Sequence, residues 1–502
     1  MTTPPPHLPA RVTRDPEPPP VRRGGLSRWP LPWTILGAVG LGGGATVGTY
    51  WLLGRAVVIN YAEGLTGAQR LTAAFATATA IGAIVALVVN VRKQDLAERT
   101  AAQAEAQYAE TIFRDRESAF TDRFRAASQQ LGAAAPPERI AGVYAMAALA
   151  DDYADRRQQC VDVLCGYLRL PWDPNVDDLA ATSTVMTTPG PDGTSTAQSN
   201  TPARRPHDAE VRATILATIA AHTRHENPST SWTALDFNLR RAHLADAIFT
   251  GCQFAGRTSF EGAAFSGERT SFEGAAFSGE RTSFQNAAFS TTHTSFDGAK
   301  FSGDDATFEE ATFSGDWASF QGATFSSLST RFGKATFLSR NTSFLAATIY
   351  GFASFEGARF SGERTSFAAA LSGHTTFEGA TFSAQTTWFL EATFSGHTTF
   401  EGATFSGHTT FEGATFSGED TSFERAAFSG RTSFEGATFS GQITRFGGVR
   451  LHVGAVLWLP GIVDPDSVLS GLRIEDGGQV LLDGKPYIPP DLPQTQGEGS
   501  SS

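Results

Sequence analysis

The residues of this chain that are best suited to chemistry are two histidines and two cysteines. His374 and His397 are separated by the length of two repeat units, and imidazole nitrogen is a common ligand of Zn²⁺. A shared metal would need a third ligand in register, and the sequence supplies none, so we predict no metal and no cofactor. Cys160 and Cys165 do not form a Cys-x-x-Cys motif. Because Cys165 falls on the apolar face of a predicted helix, we expect the pair to pack in a core and not to act in redox or metal chemistry.

A third candidate is the glycine-rich run at 41–44. A phosphate-binding loop would need a preceding strand and a following lysine, and this run has neither. It lies instead within residues 31–53, which carry no charge, and residues 71–91 form a second uncharged stretch. As helices these stretches measure about 34 and 31 Å, which matches a hydrocarbon core of about 30 Å. We predict two transmembrane helices, at 31–53 and 71–91, in preference to a helix pair buried in a soluble domain.

Small residues recur at four-residue intervals along both predicted spans. They are Gly40, Gly44 and Gly48 in the first span and Ala74, Ala78 and Gly82 in the second. Such stripes let helices approach closely in lipid, either within the hairpin or between protomers of a homo-oligomer. Basic residues precede the first span and follow the second, which predicts a bacterial inner-membrane protein with both termini cytoplasmic. Three free cysteines suit that reducing side.

Composition divides the rest of the chain into segments. Pro and Arg dominate residues 1–30, which predicts a disordered tail. Helical periodicity predicts a cytoplasmic collar at 92–172 and a short helix at 207–227. The remaining segments are a Thr-, Ser- and Pro-rich flexible linker at 173–206, a repeat array at 235–446, a β-rich C-terminal cap at 447–488 and a disordered tail at 489–502.

Phenylalanine marks the repeat array, since 34 of the 39 Phe lie between positions 249 and 446. The gaps between them alternate between five and six or seven residues, which fits neither a helical face nor a simple strand. A coil that turns a corner every few residues and returns one ring to a central axis explains the spacing. Gly follows most Phe by two residues and supplies the corner. The rings expected to stack include Phe260, Phe265, Phe272, Phe277, Phe284, Phe289, Phe296, Phe301, Phe400, Phe405, Phe411 and Phe416.

This pattern resembles the pentapeptide-repeat family, whose motif centres on Leu or Phe with a small residue two positions earlier. The tracts Ala242-His-Leu244 and Ala247-Ile-Phe249 match it directly. The resemblance implies a right-handed quadrilateral β-helix (β-solenoid), here following an N-terminal α-helical region with two transmembrane helices. Extra residues after every second repeat lengthen each coil to about 23 residues and predict eight or nine coils. The pattern falters at 345–376, where we expect a kink or a bulging loop.

The repeat array offers one unit copied with variation, and not the convergent set of different residues that catalysis requires. We therefore predict a non-enzyme: a membrane-anchored solenoid that presents a rigid surface to an unknown protein partner. The net charge of −12 argues against nucleic acid as a partner. The alternative is a DNA-mimic rod that protects a topoisomerase such as gyrase. Between residues 249 and 446 it would carry 20 acidic and 12 basic residues.

Overall fold

The structure is a computed structural model. It describes residues 67–172, 208–224, 229–459, 472–475 and 478–487, together with a few short pieces elsewhere. Contacts divide the chain into two units, Met1–Arg116 and Glu117–Ser502. The predicted tails at 1–30 and 489–502 and most of the predicted linker lie outside the described residues. Two short strands within that linker, Thr187–Thr188 and Ser195–Thr196, pair antiparallel.

The described part of the first unit consists chiefly of helix α1, Gly67–Leu131, which continues into the second unit. Among the described residues, no helix combines the length and the apolarity needed to cross a membrane. The predicted span 71–91 falls within α1, and the span 31–53 falls mostly on residues that are not described, so both stay predictions. An added Cβ would meet no neighbouring atom within 4 Å at Gly40, Gly44, Gly48 and Gly82. The side chains of Ala74 and Ala78 lie outside the described set.

Three further helices precede the solenoid and form a small cap in the second unit. They are α2 (Pro136–Asp152), α3 (Arg157–Leu168) and α4 (Asp208–Arg224), with a 3₁₀ turn at Ala154–Arg156 between the first two. Pro occupies the first turn of α2, where its missing N–H is not needed.

The described residues from 237 onward form a β-solenoid in which each full coil contributes one strand to each of four sheets. The sheets are numbered 1–4 in the order in which the chain enters them within a coil. Sheet 1 contains Phe237–Asn238, Thr258–Ser259, Arg281–Ser283, Asp305–Thr307, Ser329–Arg331, Phe352–Ser354, Thr375–Thr376, Thr398–Thr399, Asp420–Ser422 and Ile443–Arg445. Sheet 2 contains His243–Ala245, Ala264–Ser266, Ala288–Phe289, Thr312–Phe313, Thr336–Phe337, Arg359–Phe360, Thr381–Phe382, Thr404–Phe405, Ala427–Phe428, Arg450–Leu451 and Arg473–Ile474.

Sheet 3 contains Arg269–Ser271, His293–Ser295, Trp317–Ser319, Asn341–Ser343, Arg364–Ser366, Thr386–Trp388, His408–Thr410, Arg431–Ser433, Val456–Leu459, Gln479–Leu482 and Lys485–Tyr487. Sheet 4 contains Gln253–Phe254, Ala276–Phe277, Lys300–Phe301, Thr324–Phe325, Thr348–Ile349, Ala370–Leu371, Thr393–Phe394, Thr415–Phe416 and Thr438–Phe439. The strands are short because a corner follows each of them.

Successive coils pair in parallel, with partners ~23 residues apart. Thr282 pairs with Ala306 in the next coil, and further along sheet 1 Ala353 pairs with Thr375 in the same way. The predicted solenoid and coil length are thereby confirmed. The predicted count of eight or nine coils is too low: the solenoid has about ten, because strands outside positions 249–446 extend it at both ends.

The core consists of four columns of rings, one for each sheet, running along the solenoid. The twelve Phe named above all lie in these columns and are at most 1% exposed. Rings one coil apart form nearly parallel stacks, with centroids 4.4 Å apart for Phe265 and Phe289 and 4.9 Å apart for Phe296 and Phe320. Rings of neighbouring columns meet edge to face, as the quadrupoles of aromatic rings favour.

Glycine serves this fold in two ways. Two residues after a Phe, Gly298 adopts a φ of 63° at the corner, as the sequence predicts, and Asn286 takes the same role with a φ of 55°. At a second set of positions, exemplified by Gly303, the reason is space. A Cβ on Gly303 would lie 1.8 Å from the carbonyl oxygen of Gly279 in the preceding coil, so only glycine allows this close approach.

The region 345–376 does not form the kink or bulging loop that the sequence led us to expect. Ile349 and Leu371 are buried and continue the fourth column between Phe325 and Phe394. Leu371 follows Phe367 by four positions, one fewer than the five found in other repeats. The shorter corner leaves a depression in the surface. Strand pairing passes through the region without interruption because aliphatic side chains fill the ring positions.

Both ends of the solenoid are covered within the second unit. At the first coil, Trp232 is fully buried, and its indole N–H donates to Asp151 of α2 over 3.2 Å. The Arg224 guanidinium at the end of α4 donates to the carbonyl of Thr250 over 2.6 Å. At the other end, Gln479–Leu482 turns back through Asp483 and Gly484, both at positive φ, and pairs antiparallel with Lys485–Tyr487.

Candidate interaction surface

Each three-residue strand of sheet 3 up to Arg431–Ser433 buries its central residue, and its flanking residues are exposed or half-buried except Ser271 and Asn341, which are buried. The central position is held by small residues such as Thr270, Thr294 and Ala318, all buried, as the side-chain alternation of a strand requires. The first position changes from coil to coil. In chain order it reads Arg269, His293, Trp317, Asn341, Arg364, Thr386 and His408.

The rows of Thr and Ser before each ring have structural roles in this arrangement. Thr398 is buried, whereas the Thr399 hydroxyl accepts a hydrogen bond from the Glu401 N–H over 3.1 Å. The Ser295 hydroxyl accepts the Asp297 N–H in the same way over 3.2 Å. These hydroxyls orient the corners, as side-chain to backbone bonds commonly do in turns.

The two histidines of the sequence analysis do stack one coil apart, beside sheet 1. The ring centroids of His374 and His397 are 4.7 Å apart, and Phe352 stacks on the other side of His374 at 5.5 Å. Partial burial, and then the neighbouring His397, lower the pKa of His374. His397 lies 3.6 Å from an Asp420 oxygen that also takes a 2.9 Å bond from Arg445. In the described part of the chain, no cluster of three or more His, Cys, Asp and Glu residues could hold a metal ion.

The cysteines are all buried and unpaired. Burial raises the pKa of the Cys160 thiol to about 11, and burial and then the Asp162 carboxylate raise the pKa of Cys165 to about 12. The Cys252 thiol donates to the Ala220 carbonyl of α4. Because the thiolate is the reactive form, these residues serve packing and not redox chemistry.

A concavity lies on sheet 3 over its first coils. This sheet 3 groove has a volume of about 710 Å³. The outward residues of three successive strands, Arg269, His293 and Trp317, form its floor, and the Trp317 indole is 45% exposed. The remaining lining residues are Asp246, Glu268, Glu273, Thr294, Ser295, Asp297, Ser319 and Gln321.

Carboxylates lie along both sides of the groove. Asp246 accepts the N–H groups of Glu268 and Arg269 over 2.7 and 3.0 Å. Asp297 accepts the Gln321 N–H over 2.9 Å and also bonds the Ser319 hydroxyl. These bonds fix the carboxylates without neutralising them.

A smaller concavity, the corner notch, results from the missing residue between Phe367 and Leu371. Its volume is about 280 Å³. Leu345 of the preceding coil and Leu390 of the following coil stand on either side of the three alanines 368–370, and Glu391 and Thr393 complete the lining with Ala346. Leu345 is 43% exposed. Leucine and alanine side chains thus line the notch on one side, and Glu391 and Thr393 add polar atoms to its lining.

The groove and the notch lie on one continuous row of corner residues. The backbone N–H of Gly274 donates to the Asp297 carbonyl, that of Gly298 to Gln321 and that of Gly322 to Leu345, over 2.8, 2.8 and 2.9 Å. The row thus runs from Glu273 past the groove to the notch. The sequence analysis identified neither concavity, although a Trp at position 317, where the neighbouring repeats carry small or polar residues, was a visible signal.

Comparisons with known proteins give no relative for this chain. A scan of protein-family models finds no match, and neither do searches of curated proteins and of solved structures.

Proposed function

We propose that this protein is a non-catalytic scaffold that presents a rigid solenoid surface for protein–protein interaction. The observation that carries the proposal is a constant interior under a variable exterior. Inward positions repeat Phe, Ala and Thr from coil to coil, whereas the exposed first position of sheet 3 passes through Arg, His and Trp in three successive strands. Such a surface can be varied without disturbing the core that supports it.

We also propose the finer assignments that the sequence favours. The chain would be a member of the pentapeptide-repeat family with a right-handed quadrilateral coil. Residues 31–53 and 71–91 would anchor it in the inner membrane of a bacterium, with both termini in the cytoplasm, and the same anchor could join protomers into a homo-oligomer. A reporter enzyme that is active only on the cytoplasmic side should then be active when it is fused after Ser502.

Affinity capture with the full-length chain from native membranes tests the scaffold proposal. We expect a protein partner that stays bound at about 0.5 M salt, where exposed charges more than a few Å apart are largely screened. Capture of a topoisomerase that salt releases readily would favour the DNA-mimic alternative. Recovery of no protein partner in repeated captures would count against both.

A further inference from the structure

We infer that the sheet 3 groove and the corner notch together bind an extended peptide segment of a partner protein, with two arginines followed four residues later by a leucine-sized side chain. This inference rests on the proposed function and names the chemistry of its partner. Two independent features support it, namely the carboxylates and exposed indole of the groove and the two leucines that flank the notch.

The negative charge of the groove favours a cationic partner. Its four carboxylates face a single cation, Arg269, which lies 3.6 Å from Glu273. None of the ion pairs in the described residues includes Asp246, Glu268 or Asp297. These carboxylates are open to charged donors from outside.

The floor of the groove favours arginine over lysine. A guanidinium binds a carboxylate through two parallel bonds and also stacks on an aromatic face. The exposed indole of Trp317 lies one strand beyond His293 and within the same cavity as Asp297. An arginine side chain in the groove can therefore meet a carboxylate and the indole at once.

The notch calls for an apolar side chain. Elsewhere in the corner row the equivalent residues include Glu273, Asp297 and Glu412, but Leu345 and Leu390 flank the notch. The exposed Leu345 and the half-buried Leu390, on two sides of a short run of alanines, form a site that a leucine or isoleucine side chain would cover. The one-residue shortening of the coil supplies the depth.

The spacing of the two concavities sets the spacing of the motif. Along the corner row, Asp297, Gln321, Leu345 and Ala368 follow one another coil by coil, so three coils separate Asp297 from the notch. At about 4.8 Å per coil this distance is roughly 14 Å, which an extended peptide spans in about four residues. Residues i and i+4 of a strand point to the same side. A second arginine at i−2 would reach Glu273.

The test measures binding of a fluorescein-labelled peptide to the full-length chain by anisotropy at about 0.15 M salt. The probe has the sequence Arg-Ser-Arg-Ser-Ser-Ser-Leu between flanking glycines. Replacing its leucine by serine should weaken binding about tenfold, because the apolar side chain no longer leaves water. Removing one serine of the spacer should weaken binding to a similar extent, because the leucine then points away from the notch.

Protein variants localise the site. Trp317→Asn and Leu345→Glu install residues that the equivalent positions carry in other coils, Asn341 in the next coil and Glu273 three coils earlier, so both variants should fold. We expect each to weaken binding at least tenfold. The matched control, Glu412→Gln, removes one carboxylate from the same row beyond the notch and should change affinity less than twofold.

The outcomes separate this inference from the proposal on which it rests. Equal affinity for the leucine and serine peptides, or equal losses for Glu412→Gln and Trp317→Asn, would overturn the inference, because binding would then depend only on charge. Absence of peptide binding, together with capture of a protein partner, would overturn the inference and leave the scaffold proposal standing. The expected peptide pattern without any captured partner would support the binding site and count against the scaffold proposal.

Discussion

Replacement of Phe320 by alanine provides the sharpest test of the ring columns. Phe320 is fully buried and stacks between Phe296 and Phe344, with centroids 4.9 and 4.7 Å away and interplanar angles of 2° and 1°. Four more rings meet it nearly edge-on, with centroids 5.7, 5.7, 5.6 and 6.5 Å away. Phe320→Ala removes the ring that these contacts surround, and neighbours held by strand pairing on both sides cannot close the cavity.

Truncation of a buried Phe to Ala typically costs about 3–5 kcal/mol. We expect a value of about 4 kcal/mol for Phe320→Ala, because the site is fully enclosed and rigid. The control is Phe352→Ala, which removes the same atoms from an outward position that is 36% exposed and stacks only on His374. Its cost should be about 1 kcal/mol or less.

Urea unfolding of the full-length chain, followed by far-ultraviolet circular dichroism, measures the difference. With an m value of about 3 kcal/mol/M, Phe320→Ala should lower the midpoint by roughly 1 M, and Phe352→Ala by a few tenths. Coincident transitions for the two variants would refute the reasoning, since the stability would then not reside in the columns.

Three further results are expected. Gly303→Ala should lower the free energy of unfolding in urea by about 2–3 kcal/mol, because its Cβ would meet a backbone carbonyl. Gly298→Ala has open space but a positive φ, and it should lower the same free energy by about 1 kcal/mol. Equal losses for the two variants would contradict the packing argument. Burial and His397 lower the pKa of His374 in the folded chain below its ordinary 6.5. The unfolded chain therefore binds more protons than the folded chain just below that pH, and the stability of the fold falls as the pH drops through 6.5. His374→Gln should therefore lose less melting temperature between pH 7 and pH 5 than the wild type does. Finally, the raised pKa of Cys165 predicts that iodoacetamide at pH 8 does not alkylate this thiol in the folded chain but alkylates it rapidly in urea. Mass spectrometry that finds alkylated Cys165 in the folded protein would contradict this prediction.

The sequence predicted those features of the fold that repeat. The five- and seven-residue gaps between Phe260, Phe265 and Phe272 locate the corners, and small residues two positions before a Phe, such as Ala263, lie inside as expected. Local geometry determines these features, since a corner needs a positive φ and an inward position beside a ring has room only for a small side chain. A single repeat unit therefore contains the information that determines the corners and the inward positions.

Features that depend on contacts between coils or on single departures from the repeat could not be read in this way. Gly303 looks like any other glycine until a carbonyl of the preceding coil is placed beside it. The missing residue after Phe367 indicated an irregularity, but only the positions of Leu345 and Leu390 on either side of the alanines show that it is a notch and not a loop. Trp317 likewise becomes part of a groove only when Asp297 and Glu268 are brought to either side of it.

The final hairpin has a consequence for the behaviour of the chain in concentrated solution. A stack of parallel strands leaves its last strand free to recruit another chain, and long rods of this kind are prone to grow into fibres. Here the outermost strand of sheet 3 runs in the opposite direction and contains Pro486, which has no N–H to donate. The helical cap covers the opposite end through Trp232 and Arg224. Copies of this protein should therefore resist head-to-tail polymerisation even when crowded, and removal of residues 485–502 should make them gel.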